Sequence, residues 1–125
     1  MLLWAGFPGP ESQPWHNSAF DTGGNIKQPY FNRLTKVLDR ADELGMVAIL
    51  GLCYHGQDER LWDERAVRHP VDETCGWLLN QEYTNEINKQ CNTRYEYEVL
   101  QPHRVHELIE QAKDISRWGR RLLVS

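Results

Sequence analysis

The feature that most constrains this chain is a helical pattern that runs directly into an apolar block. Tyr30, Phe31, Leu34, Val37, Leu38, Ala41 and Leu44 recur at the spacing of one helix face, with Pro29 in a first-turn position and Gly45 as a stop. Met46-Val47-Ala48-Ile49-Leu50-Gly51-Leu52-Cys53-Tyr54 follows with no polar alternation, as in a parallel strand covered on both faces. A helix that delivers the chain into such a strand is part of a βα rhythm. An α/β fold with a parallel sheet is therefore expected.

The remaining patterns fit the same rhythm with one gap. Residues 1–7 read as a short strand, and residues 8–27 as a long loop rich in Gly, Pro, Ser and Asn. Val67, Val71, Thr74, Cys75, Leu78 and Leu79 mark a second helix, starting near Pro70 or kinked by it, because proline removes a backbone bond and clashes with the preceding turn. Pro102 opens a third helix carrying Val105, Leu108, Ile109, Ala112 and Ile115. Gly119 closes it ahead of an apolar end at Leu122-Leu123-Val124. The spacing predicts helices over 29–44, 70–80 and 102–117 and parallel strands over 46–54 and 120–124. Tyr83-Thr84-Asn85-Glu86-Ile87-Asn88 is too polar for a buried central strand.

The 125 residues suit one domain. A formal net charge of −4 argues against a nucleic-acid surface, which needs a clustered basic face. Arg117, Arg120 and Arg121 form the tightest basic group, and at the end of a predicted helix they suit its dipole. Cys53, Cys75 and Cys91 are odd in number and widely spaced, unlike a disulfide framework. Cys53 with His55, and His103 with His106, are two separate pairs, short of the three or four converging ligands zinc requires. No metal or other cofactor is expected. Glu107, Glu110 and Lys113 read as a solvated helix face. Met1-Leu2-Leu3-Trp4 has no basic start and soon meets Gly6 and Pro8, so it reads as neither a signal peptide nor a membrane span, and a cytoplasmic location is the default.

Three stretches together resemble the cellulase-like glycoside hydrolases, which are (β/α)8 barrels. They are Gln13-Pro14-Trp15-His16-Asn17-Ser18-Ala19-Phe20, the stretch over residues 38–60, and Ile87-Asn88-Lys89-Gln90-Cys91-Asn92 with residues 100–109 after it. The resemblance implies a partial (β/α) barrel over residues 1–125, with a strand and long loop over 1–28 and βα units over 29–125. A complete barrel takes about 250 residues, so about half is represented. In such enzymes two carboxylates cleave the sugar bond, about 5–5.5 Å apart in the retaining type. The acid/base Glu, which follows an Asn in the family, maps onto Gln90 after Lys89, and the nucleophile lies on a later strand that this chain does not contain. Gln has no carboxyl proton to give.

The resemblance also implies sugar contacts from Trp15, His16 and Asn17 on one loop, from Tyr54, His55 and Gln57 on the next, and from Asn88 and Asn92 beside Gln90. The expectation is a glycoside hydrolase-like barrel fragment without catalytic power of its own, with an oligosaccharide as ligand and self-association invited by open sheet edges. Two alternatives stand beside it. One is an active hydrolase whose missing carboxylate comes from another chain or from Glu86. The other is a carbohydrate-binding or protein-interaction module that uses Trp15 and Tyr54 as platforms.

Overall fold

The computed structural model describes residues 18–52, 61–83, 87–88 and 98–125. In chain order these form α1 (Gln28–Glu43), β1 (Leu50–Gly51), α2 (Glu64–Asn80), β2 (Ile87–Asn88), a short 3-10 turn (Glu98–Leu100), α3 (Val105–Asp114), β3 (Ser116–Arg117) and β4 (Arg120–Arg121).

Helix α1 follows its periodicity closely. Tyr30, Phe31, Leu34 and Leu38 are its buried residues. Gly45 ends it with φ +67, a conformation that costs glycine little, and its N–H donates to the Asp42 carbonyl at 2.9 Å. The apolar stripe is narrower than the sequence suggests: Val37 and Leu44 are about half exposed. Phe31 is fully buried and meets Trp77 edge-on, with ring centroids 4.8 Å apart. Tyr83 closes the same stack against Trp77 at 5.7 Å and donates its hydroxyl proton to Asp39 on α1. Burial first, and then the Asp39 carboxylate, push the Tyr83 phenol up to about 12.

Helix α2 starts earlier than predicted and runs through Pro70. The Asp63 carboxylate caps it by accepting from the Ala66 N–H at 2.8 Å. Pro70 has no N–H to offer the carbonyl of Ala66, four residues back. The loop before α1 seats Gly24 against that carbonyl. A Cβ on Gly24 would lie 2.5 Å from the Ala66 oxygen and 2.8 Å from Pro70 Cδ, and φ there is +82. The proline thus marks the place where another part of the chain docks.

The fold class differs from the sequence expectation. Among the described residues there is no barrel and no sustained alternation of parallel strands with helices. One two-residue parallel pair joins Leu50 to Ile87 and Gly51 to Asn88. One two-residue antiparallel pair joins Ser116 to Arg121 and Arg117 to Arg120. The core is mainly helical, and α2 packs on α3.

Two local reasons explain the change. Residues 46–49 leave Met46, Val47 and Ile49 between about half and three-quarters exposed, and strand geometry begins only at Leu50, which is fully buried like Leu52. An unalternating apolar run fits a buried strand only where neighbours cover it on both sides. At the other end, α3 stops at Asp114, and Trp118-Gly119, with φ +50 and +74, makes a tight hairpin turn. The expected parallel strand over 120–124 becomes half of that hairpin. Gly119 is a hairpin residue rather than a helix stop, and the three arginines lie on the hairpin instead of a helix end.

Candidate functional site

Helix α2 turns one stripe inward and another outward. Val67, Val71, Cys75 and Leu78 lie in the core, while Arg65, His69, Asp72, Gly76 and Asn80 recur along the outer side at helical spacing. The loop at residues 23–28 rises beside this outer side. Between them lie two open hollows. One, of about 500 Å³, is lined by Gly23, Asn25, Trp62, Asp63, Arg65, Ala66, Arg68, His69 and Asp72. The other, of about 470 Å³, is lined by Asn25, Ile26, Gln28, Asp72, Glu73, Gly76, Trp77, Asn80 and Arg117. Asn25 and Asp72 line both, so the two hollows adjoin along α2 and are together called the groove. At 1.5 Å per residue, its α2 wall from Arg65 to Asn80 is roughly 22 Å long.

The loop wall is held by its own hydrogen bonds. The Asp21 carboxylate accepts from the Gly23 N–H at 2.9 Å and from both the backbone and the side-chain amide of Asn25. Burial opposes charge on Asp21, but these bonds and Lys27 outweigh it and hold the carboxyl below its ordinary range. A bridge between Phe20 and Ile26 and the Lys27 N–H to Ala19 carbonyl bond at 2.8 Å close the base of the loop.

Trp62 stands at the head of the groove with 78% of its surface exposed. Its backbone is nevertheless fixed. The Trp62 N–H donates to the Thr22 carbonyl at 3.1 Å, and the next residue is the α2 cap. Its ring passes close to Gly23, where a Cβ would sit 3.5 Å from the nearest ring carbon. A large aromatic held in place and open to solvent has the shape of a platform for a flat apolar face.

The groove's acids are partly committed. Asp63 accepts the cap bond, and Asp72 accepts from the Gln111 side chain at 2.8 Å. Arg68 belongs to a cluster that ties α2 to α3: it donates to Glu64 at 3.0 Å and to Glu107, while Arg104 reaches Glu64 at 3.1 Å and Glu107 at 2.6 Å. Hydrogen bonds from Arg104 and then Arg68 pull the Glu107 carboxyl down to about 2, against its desolvation. Glu107 is therefore a structural anchor rather than part of a solvated helix face. The groove thus presents an aromatic ring face, amides and charged groups, with Asp63 and Asp72 already holding hydrogen bonds of their own.

The sequence-derived site falls mostly elsewhere. Trp15, His16, Asn17, Tyr54, His55, Gln57, Glu86, Lys89, Gln90 and Asn92 lie outside the described residues, as do Cys53 and Cys91. Asn88 is placed by its backbone, opposite Gly51. Cys75 is buried, and His103 and His106 are exposed. Among the described residues no group of three or more His, Cys, Asp or Glu side chains is arranged to hold a metal, and no helix is long and apolar enough to cross a membrane. Sequence reasoning missed Trp62. A large apolar residue just before a helix cap ordinarily packs back onto the first turn, and only the three-dimensional path of the loop leaves it open. The polar stripe of α2 was visible, but any solvated helix face has one.

No protein family, curated protein or solved structure matches this chain.

Proposed function

We propose that this chain is a non-catalytic carbohydrate-binding module whose ligand lies in the groove between α2 and the loop at residues 23–28. The observation that carries the reading is Trp62, held by the Thr22 carbonyl yet 78% exposed, with Asn25, His69 and Asp72 along the adjoining wall. A sugar ring has one relatively apolar face for the indole and a rim of hydroxyls for amide, imidazole and carboxylate groups. The resemblance of the three stretches to cellulase-like hydrolases supports a saccharide as ligand. Gln90, where the resemblance would put the acid/base Glu, supports binding without cleavage.

Titration of the chain with soluble gluco- and xylo-oligosaccharides, followed by tryptophan fluorescence, tests the reading. Saturable binding that Trp62→Ala removes, with an unchanged melting curve, is the expected result. Absence of binding across the panel overturns it. Turnover of aryl glycosides that follows the protein through purification would establish an active hydrolase instead.

A second reading has its own observation. Leu44, Met46, Val47 and Ile49 expose apolar side chains within one short segment. Soluble proteins usually cover such patches with a partner, and a second copy of this chain, packing its own patch against Leu44, Met46 and Val47, is the partner this segment suits. Sedimentation at increasing concentration tests this: a strict monomer would sink it.

A further inference from the structure

Trp118 breaks a local rule without a local return. It has φ +50 in the two-residue turn between β3 and β4, a conformation in which large L side chains are outliers. Asn or Gly normally occupies this position in a tight hairpin. Burial does not offset the strain, because Trp118 is 73% exposed. A strained, exposed aromatic at a hairpin tip is an observation that calls for a partner outside the chain.

The surroundings of the tip define that partner. Arg117, Arg120 and Arg121 flank it within five residues, all exposed, and Leu123 just beyond is 70% exposed. Glu82 faces Arg120 at 3.5 Å, across a pair that is itself open to solvent. The chain as a whole carries a net charge of −4, so without these three cations the remainder is more acidic still. The hairpin therefore concentrates positive charge within an otherwise acidic chain, and that local charge favours an anionic surface at this end. The tip is narrow, far short of the area a stable protein interface buries. It suits a partner that repeats the same anionic group over a plane and has an apolar layer just beneath. Indole at the headgroup level with arginines at the phosphates is how short segments engage such a surface.

We propose that the hairpin at residues 116–121 is a peripheral docking element for an anionic lipid bilayer, with Trp118 entering the interface and Arg117, Arg120 and Arg121 meeting the phosphates. This contact is distinct from spanning a membrane; it shares Arg117 with the second hollow of the groove, whereas Trp118, Arg120 and Arg121 lie outside both hollows.

The test is cosedimentation of the full chain with vesicles of phosphatidylcholine alone and of phosphatidylcholine mixed with phosphatidylserine. Retention on the mixed vesicles only, weakened by salt, is expected. Each Arg→Gln substitution should lower the affinity about fivefold. Trp118→Asn supplies the decisive variant. Asn favours the turn, so the variant should melt at the same temperature or higher while losing retention. Equal binding to both vesicle types, or none to either, overturns the proposal. So does an unchanged affinity for Trp118→Asn. Arginine-dependent binding to DNA or to polyglutamate without vesicle binding would replace the bilayer with an acidic polymer.

Discussion

Helix α1 and the segment that follows it are both strongly apolar, yet they end in opposite environments. Phe31, Leu34 and Leu38 of α1 are almost fully buried, whereas Met46 and Val47 are 60% and 72% exposed, with Gly45 between the two regions. The difference lies in how each pattern specifies its partner. A period of 3.6 residues gathers the apolar groups of α1 into one stripe, so the stripe faces the core whatever forms that core. The run over residues 46–52 has no preferred face. Its burial depends on what arrives from distant sequence, and among the described residues only Ile87–Asn88 pairs with it.

The largest effect that can break this contrast is Phe31→Ala. Loss of a fully buried ring seated between Phe20 and Trp77 is expected to cost about 3–5 kcal/mol in urea unfolding. A cost below 1 kcal/mol would mean that α1 is no better anchored than residues 46–49.

Gly24→Ala should come next, at about 2–3 kcal/mol, because it combines a positive φ with a Cβ placed 2.5 Å from the Ala66 oxygen. Gly45→Ala sharpens the comparison at the junction itself. It has a similar φ but nothing within 4 Å, so about 1 kcal/mol is expected. Equal thermal shifts for the two variants would show that the contact with α2 contributes nothing.

The α2–α3 cluster gives a pH-dependent effect that the apolar segment lacks. The Glu107 carboxyl titrates near 2 in the folded chain, below its ordinary 4.5, so its contribution is complete above pH about 4.5 and is lost as pH falls toward 2. Thermal melts across this range should show Glu107→Gln with a shallower acid dependence than the parent. Superimposable profiles would remove Glu107 from the cluster's energetics. Tyr83 works in the opposite sense. Its phenol is raised to about 12, so its contribution is whole below pH 10 and fades as pH climbs to 12, a loss that Tyr83→Phe should reduce.

Val47→Ser should have the smallest effect on the isolated chain, within about 0.5 kcal/mol, since 72% of the residue already meets water. The same substitution should shift sedimentation toward the monomer. A cost comparable with Phe31→Ala, measured at high concentration only, would show that a second copy buries this segment.

The candidate site was far less legible than α1. A polar stripe on α2 is evident from Arg65, His69, Asp72 and Asn80, but nothing in their spacing separates a groove wall from an ordinary solvated face. The cap at Asp63 is a local signal. The exposure of Trp62 is not, because it depends on the Asp21–Asn25 turn being carried to the start of α2. Glu107 shows the same limit in part: its partner Arg104 is only three residues away, but its tie to Arg68, 39 residues away, is set by the packing of α2 on α3.

What the sequence by itself determined are features whose causes lie within a few residues: the buried face of α1, its stop at Gly45, and the core stripe of α2. Tertiary structure alone decided the rest. The close seating of Gly24 against Ala66 and Pro70 depends on the loop before α1 being carried onto α2. The exposure of residues 46–49 depends on which strands come alongside. The C-terminal end turned back as a hairpin instead of extending a parallel sheet, and β3 packs against α2. A local pattern specifies which groups seek cover, but only the meeting of distant segments supplies it, because the gain from burial is non-directional and proportional to whatever area is actually removed from water.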